Sequence, residues 1–120
     1  MVRYDGNAYS LEFDGAQNGL PAGSCIDALS HAPDGDLLMS LDVTVAFSTA
    51  YAVSAFTAAD EDILRWDPTD GFELAFGGSG SGVSTALDTD GVHMIHASQH
   101  LLLSFDGSGV VGGMNFDYDD

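Results

Sequence analysis

Five groups of side chains in this chain are of types and spacings that do chemistry. His93, His96 and His100 stand three and four residues apart. On a helix that spacing aligns three imidazoles on one face, as a Zn²⁺ or similar site requires. Around a hairpin it scatters them, and they read as ordinary, partly exposed histidines. The acids are denser. Asp60-Glu61-Asp62 and the trio Asp117, Asp119 and Asp120 supply the hard oxygens that Ca²⁺ takes. Asp88-Thr89-Asp90-Gly91 opens like a calcium loop, without the later bidentate Glu of an EF-hand. The competing reading is structural: Asp at a turn or strand end accepts hydrogen bonds from backbone N–H groups. Arg3 and Arg65 are the strong cations. Each precedes an aromatic, and each is expected to fork to carboxylates and stack on a ring as a structural ion pair. For catalysis there is little. Gly-x-Ser-x-Gly is absent, and Cys25 stands alone with no Cys–His pairing to argue. A carboxylate- or histidine-based enzyme with a pocket at a ring centre or subunit interface is the alternative.

The acids dominate the composition. Nineteen Asp and Glu face two Arg and no Lys, a formal charge of −17 over 120 residues. Direct nucleic-acid binding is disfavoured, because phosphate contacts need clustered Lys or Arg. An anionic membrane surface is disfavoured for the same reason. An acidic mimic that occupies a basic, nucleic-acid-binding partner is a further alternative. The hydrophobic share of 45% exceeds that of a disordered acidic tail. A lone Cys excludes an intrachain disulfide and a Cys-based metal site. No basic leader with an apolar core and no apolar run of spanning length is present, so neither a signal peptide nor a transmembrane segment is expected in this chain. Localisation stays open.

Period-two alternation marks strands. Ala8–Phe13, Phe72–Phe76, Leu101–Phe105 and a long stretch from Leu37 to Phe47 carry it. Val2–Tyr4, Ile63–Trp66, Ile26–His31 and Gly91–Ile95 are shorter apolar candidates. Turn formers lie between them at Asp5-Gly6-Asn7, Pro33-Asp34-Gly35 and Asp67–Gly71. The Gly/Ser run from Gly78 to Gly82 reads as a loop, because a phosphate cradle needs a following Lys and a helix. Ala46–Thr57 is ambiguous and has room for a helical turn.

These pieces recur at a period of about 60 residues, the mark of repeat architecture. Val2-Arg3-Tyr4-Asp5 returns as Leu64-Arg65-Trp66-Asp67, and Asp36–Asp42 as His100–Asp106. Leu11-Glu12-Phe13-Asp14-Gly15 returns as Leu74-Ala75-Phe76-Gly77-Gly78. Acids recur in step: Asp5 with Asp67, Asp27 with Asp90, Asp42 with Asp106, Asp62 with Asp120. The expectation is an all-β single domain of two tandem four-stranded antiparallel meanders, about residues 1–62 and 63–120. The aromatic-Asp turn after Arg, the Leu-x-Phe-x-Gly strand and the Pro-Asp-Gly-Asp-Leu-Leu hairpin resemble β-propeller blades, similar to blade-like repeats of bacterial proteins mostly without assigned activity. That resemblance implies a ring. Joined end to start, Asp119-Asp120-Met1-Val2-Arg3-Tyr4 aligns with Glu61-Asp62-Ile63-Leu64-Arg65-Trp66, so Asp117–Asp120 is expected beside Met1–Tyr4 of the same or a neighbouring chain. A homo-oligomer that covers open sheet edges is favoured. A self-closed two-repeat sandwich or barrel is the alternative. The resulting expectation is a non-enzymatic, acidic β-repeat module that assembles with itself, with Ca²⁺ as a candidate stabiliser.

Overall fold

The computed structural model describes residues 1–117, and the chain is all-β with antiparallel strand pairs and no closed barrel among them. Residues 118–120, and with them Asp119, Asp120 and the expected junction with Met1–Tyr4, lie outside the described residues. Among the described residues twelve strands follow in order: β1 Val2–Tyr4, β2 Tyr9–Leu11, β3 Ile26–His31, β4 Leu37–Leu41, β5 Val45–Phe47, β6 Phe56–Ala58, β7 Ile63–Asp67, β8 Gly71–Phe76, β9 Thr89–Ile95, β10 His100–Phe105, β11 Gly109–Val111 and β12 Met114–Phe116. They pair as hairpins, β1–β2, β3–β4, β5–β6, β7–β8, β9–β10 and β11–β12. One further pairing, β4 with β7, joins two hairpins into the sheet β3-β4-β7-β8. That four-stranded sheet draws two strands from each half of the chain.

β4 is its centre. Leu37, Leu38, Met39, Ser40 and Leu41 are all buried. The strand therefore has two apolar faces, because successive side chains point to opposite sides. Leu37, Met39 and Leu41 join Phe13, Phe47, Leu64 and Phe72 in the main core, with Trp66 and Met1 packed against it. Leu38 faces the other way, with Ala32 and Ile63, onto Phe76, Val92, Met94, Leu101 and Leu103. The β9–β10 hairpin thus covers the back of the sheet. Aromatic edges fill the main core: Phe13 meets Trp66 at a centroid distance of 4.9 Å and Phe72 at 6.1 Å, while Phe47 lies 4.6 Å from Phe72. The two contacts of Phe13 are edge-to-face and that of Phe47 with Phe72 is tilted, and such pairs add to area burial.

Several expectations shift. The stretch Leu37–Phe47 is not one strand. It bends at Asp42 and Val43 and restarts as β5, because Asp42 turns its carboxylate back onto the Cys25 N–H at 2.6 Å. Ala46–Thr57 holds no helical turn; it carries the end of β5, a turn and the start of β6. The Gly78–Gly82 run folds into one short 3-10 turn over Ser79–Ser81. β11 and β12 lack a strong alternation in sequence. They are set by a bridge between Val83 and Val111 and by the Phe105–Phe116 ring contact at 5.4 Å.

Candidate functional site

Six of the acids, Asp27, Asp42, Asp60, Asp88, Asp90 and Asp106, gather at one end of the strands. Asp42 closes the β3–β4 end: its Oδ1 accepts from Cys25 N–H at 2.6 Å, and its own N–H donates to Cys25 O at 3.1 Å. Asp106 does the same for β9–β10. Its Oδ1 accepts from Asp88 N–H at 3.0 Å, and its N–H donates to Asp88 O at 3.0 Å. Asp90 accepts from Ser104 Oγ at 2.7 Å. Asp27 and Asp60 complete the group. Burial raises the Asp27 carboxyl, with Asp42 and Asp90 adding repulsion.

Asp88 is the most perturbed of them. Burial, then the charges of Asp27, Asp60, Asp106 and Asp90, pushes its carboxyl from 3.8 up to about 6. Its Oδ1 is buried with no hydrogen-bond partner among the described residues. Desolvation and like charges both favour the neutral acid. The folded state therefore holds this proton more tightly than the unfolded chain. Its stabilising effect is present below about pH 4 and is lost as pH rises through about 6. Asp88→Asn is expected to flatten that part of the stability–pH curve. It should also stabilise the protein at pH 7 by on the order of 1 kcal/mol, a figure discounted for the partial exposure of the side chain. Thermal melts from pH 4 to 8 check it; curves that run parallel to the parent would contradict it.

Asp60-Glu61-Asp62 does not converge on a common point. Asp62 is spent on the backbone: Oδ1 accepts from Gly78 N–H at 2.7 Å, and Oδ2 from Ala59 N–H at 2.9 Å. Glu61 is 2% exposed, and burial raises its carboxyl, with Asp60 and Asp62 adding. Its main-chain oxygen takes the Thr89 hydroxyl at 3.2 Å. Among the described residues, no group of three or more His, Cys, Asp or Glu is arranged to hold a metal ion. Asp117 is a described residue; its partners Asp119 and Asp120 are not.

The histidines follow the hairpin reading. His93 on β9 stands opposite Leu102, and His100 on β10 opposite Ile95. All three are exposed, and His96 Nε2 pairs with His31 O at 3.1 Å.

The arginines diverge. Arg65 on β7 reaches Asp36 through Nε at 2.7 Å, binds Asp34 through its other arm, and lies 3.8 Å from Glu73. The hydrogen bond to Asp36 leads the effects that hold its guanidinium charged, with Asp34, Asp36 and Glu73 adding. Arg3 has Glu12 at 3.6 Å, and its side chain is 64% exposed. The turn aspartates, by contrast, match. Asp5 Oδ1 accepts from the N–H groups of Asn7 and Ala8, and Asp67 Oδ1 from those of Thr69 and Asp70. These bonds hold both carboxyls below the usual aspartate value.

Two of the apolar hollows border the elements described above. The larger, about 580 Å³, is bordered by Met1, Phe13, Leu20, Ile26 and Leu29, with Asp27 at its edge. The smaller, about 290 Å³, runs beside β10 and is lined by Leu101, Leu103, Phe105, Val111, Met114 and Phe116. Comparisons with protein families, with curated proteins and with solved structures found no match.

Proposed function

We propose that this chain is a non-enzymatic, strongly acidic β-repeat module whose role is to associate with further copies of itself. One observation carries the reading. Each half presents three hairpins in the same order, yet the two leading hairpins meet opposite surroundings. In β7–β8, Leu64 and Phe72 are 1% and 0% exposed. In β1–β2, Val2, Tyr4, Tyr9 and Leu11 are 61%, 57%, 77% and 63% exposed. These four share one face, since Val2 pairs with Leu11 and Tyr4 with Tyr9. A two-stranded hairpin with that much bare apolar surface is marginal alone. Contiguous exposed apolar surface marks an interaction site.

The repeat reading, with halves of about 1–62 and 63–120 that resemble propeller blades, supplies the reason. Within this chain the second leading hairpin, β7–β8, is covered by strands of the first half, and the first meets no such neighbour among the described residues. Recurring acids in backbone clasps, Asp42 with Asp106 and Asp5 with Asp67, favour a scaffolding use of the charge over a catalytic one. Light scattering across a concentration series tests the proposal. Masses at multiples of the 12.5 kDa chain are expected to grow with concentration, and more strongly in high salt, because −17 per copy repels until screened. A constant 12.5 kDa species at all concentrations and salts would overturn it.

A further inference from the structure

We infer that the exposed β1–β2 hairpin of one copy adds to the open edge of β10 in a second copy, in the register that β7 uses on β4. The inference rests on the self-association reading and specifies its contact. The template is inside the chain. β7 pairs with β4 as Trp66 opposite Leu37, Arg65 opposite Leu38 and Leu64 opposite Met39. β10 is the sequence counterpart of β4. It bonds β9 along one edge, and among the described residues no strand pairs with the other. An open edge of this kind is a template for another strand.

The side chains fit the same scheme. Beside β4, Leu37, Met39, Leu41 and Phe47 are closed over by Leu64, Trp66 and Phe72. Beside β10, the counterparts Leu101, Leu103, Phe105 and Val111 line the open hollow. The residues that would close it are the counterparts of Leu64, Trp66 and Phe72. Cross-strand pairing identifies these as Val2, Tyr4 and Tyr9, the ones left bare. Shifted onto β10, the register sets Tyr4 opposite Leu101, Arg3 opposite Leu102 and Val2 opposite Leu103. Val2 and Tyr4 then stand on the face of Leu101 and Leu103, above the hollow.

The partner is a second copy rather than the same chain. The Met1 amine donates to Phe13 O at 2.7 Å, and Met1 O accepts from Glu12 N–H at 3.1 Å. Phe13, 2% exposed, is locked in the main core. The base of the hairpin is therefore moored in its own molecule while its apolar face points outward. The contact is heterologous, hairpin to edge, and builds rings or open chains. It also lacks a clamp. Where Arg65 finds Asp34 and Asp36, Arg3 of the incoming hairpin meets the counterparts Ser98 and His100.

Disulfide trapping tests the register. In a Cys25→Ser background, Arg3→Cys is combined with Leu102→Cys. Directly opposed residues of an antiparallel pair have Cα atoms about 4.5–5.5 Å apart, within disulfide reach. Mild oxidation is expected to give cross-linked dimers and higher species on a non-reducing gel, several-fold more than the combination Arg3→Cys with Leu103→Cys, whose side chains face opposite ways. Light scattering on the reduced protein separates the two claims. Multimers without a preferred cross-link would overturn this interface and leave self-association standing. Monomers without cross-link would overturn both. A disulfide within a single chain would show the hairpin folding onto its own β10 and would overturn the second-copy assignment.

Discussion

Phe72→Ala is expected to lower the unfolding free energy by about 3–5 kcal/mol, a large part of the roughly 5–15 kcal/mol available to a small domain. Phe72 is fully buried between the rings of Phe13 and Phe47. Its backbone ties β8 to the segment after β5: its N–H donates to Tyr51 O at 2.9 Å, and its O accepts from Val53 N–H at 3.0 Å. Truncation leaves a cavity that three elements cannot all collapse into. The counterpart substitution Tyr9→Ala strips a ring that is 77% exposed. At concentrations where the chain is monomeric it should stay within about 0.5 kcal/mol of the parent. Urea unfolding of both variants decides the matter. A Phe72→Ala loss below about 1 kcal/mol would show that the ring is not held as described.

Gly71→Ala is the second large effect. Gly71 sits at φ +85, and an added methyl would meet the backbone of Tyr51, with its carbonyl carbon at 2.8 Å. The left-handed backbone alone costs a non-glycine residue about 1–2 kcal/mol. Crowding a rigid carbonyl adds about 1–3 kcal/mol. Gly6 offers the control. It occupies the matching turn at φ +97, with nothing within 4 Å of a methyl. Gly6→Ala should therefore lose the backbone component only. Equal melting shifts for the two variants would contradict the close approach of Tyr51 to the β7–β8 turn.

Alternation and turn chemistry made most strands readable. Val2–Tyr4 and Ile26–His31 carry the expected bounds, and the Asx turns at Asp5 and Asp67 follow from Asp placed before Gly6 and Pro68. What escaped was the environment of each strand. Val2-Arg3-Tyr4 and Leu64-Arg65-Trp66 are nearly the same string, yet one is bare and the other lies in the core. Local pattern encodes which residues share a face, not whether a neighbour arrives to cover it. The same holds for the site. The recurring Asp42 and Asp106 were visible as acids in step. That each clasps a main-chain N–H across its hairpin depends on a contact 17 or 18 positions away in sequence. The burial of Asp88 against Asp27 and Asp60 depends on hairpins from both halves meeting, which no spacing within one hairpin reveals.

The two-faced burial of β4 bears on how the sheet keeps its alignment. In a strand with one wet face, sliding by a single residue exposes every apolar side chain, and the pattern itself forbids the slip. Leu37-Leu38-Met39-Ser40-Leu41 has no such protection, since both faces are apolar apart from Ser40. Alignment must be enforced from the ends. At one end the Asp42–Cys25 clasp pins β4 to β3; at the other, Arg65 pins the approach to β4 through Asp34 and Asp36. The charged residues of this acidic chain thus act as stops that keep an otherwise slippery hydrophobic strand from settling one notch out of place.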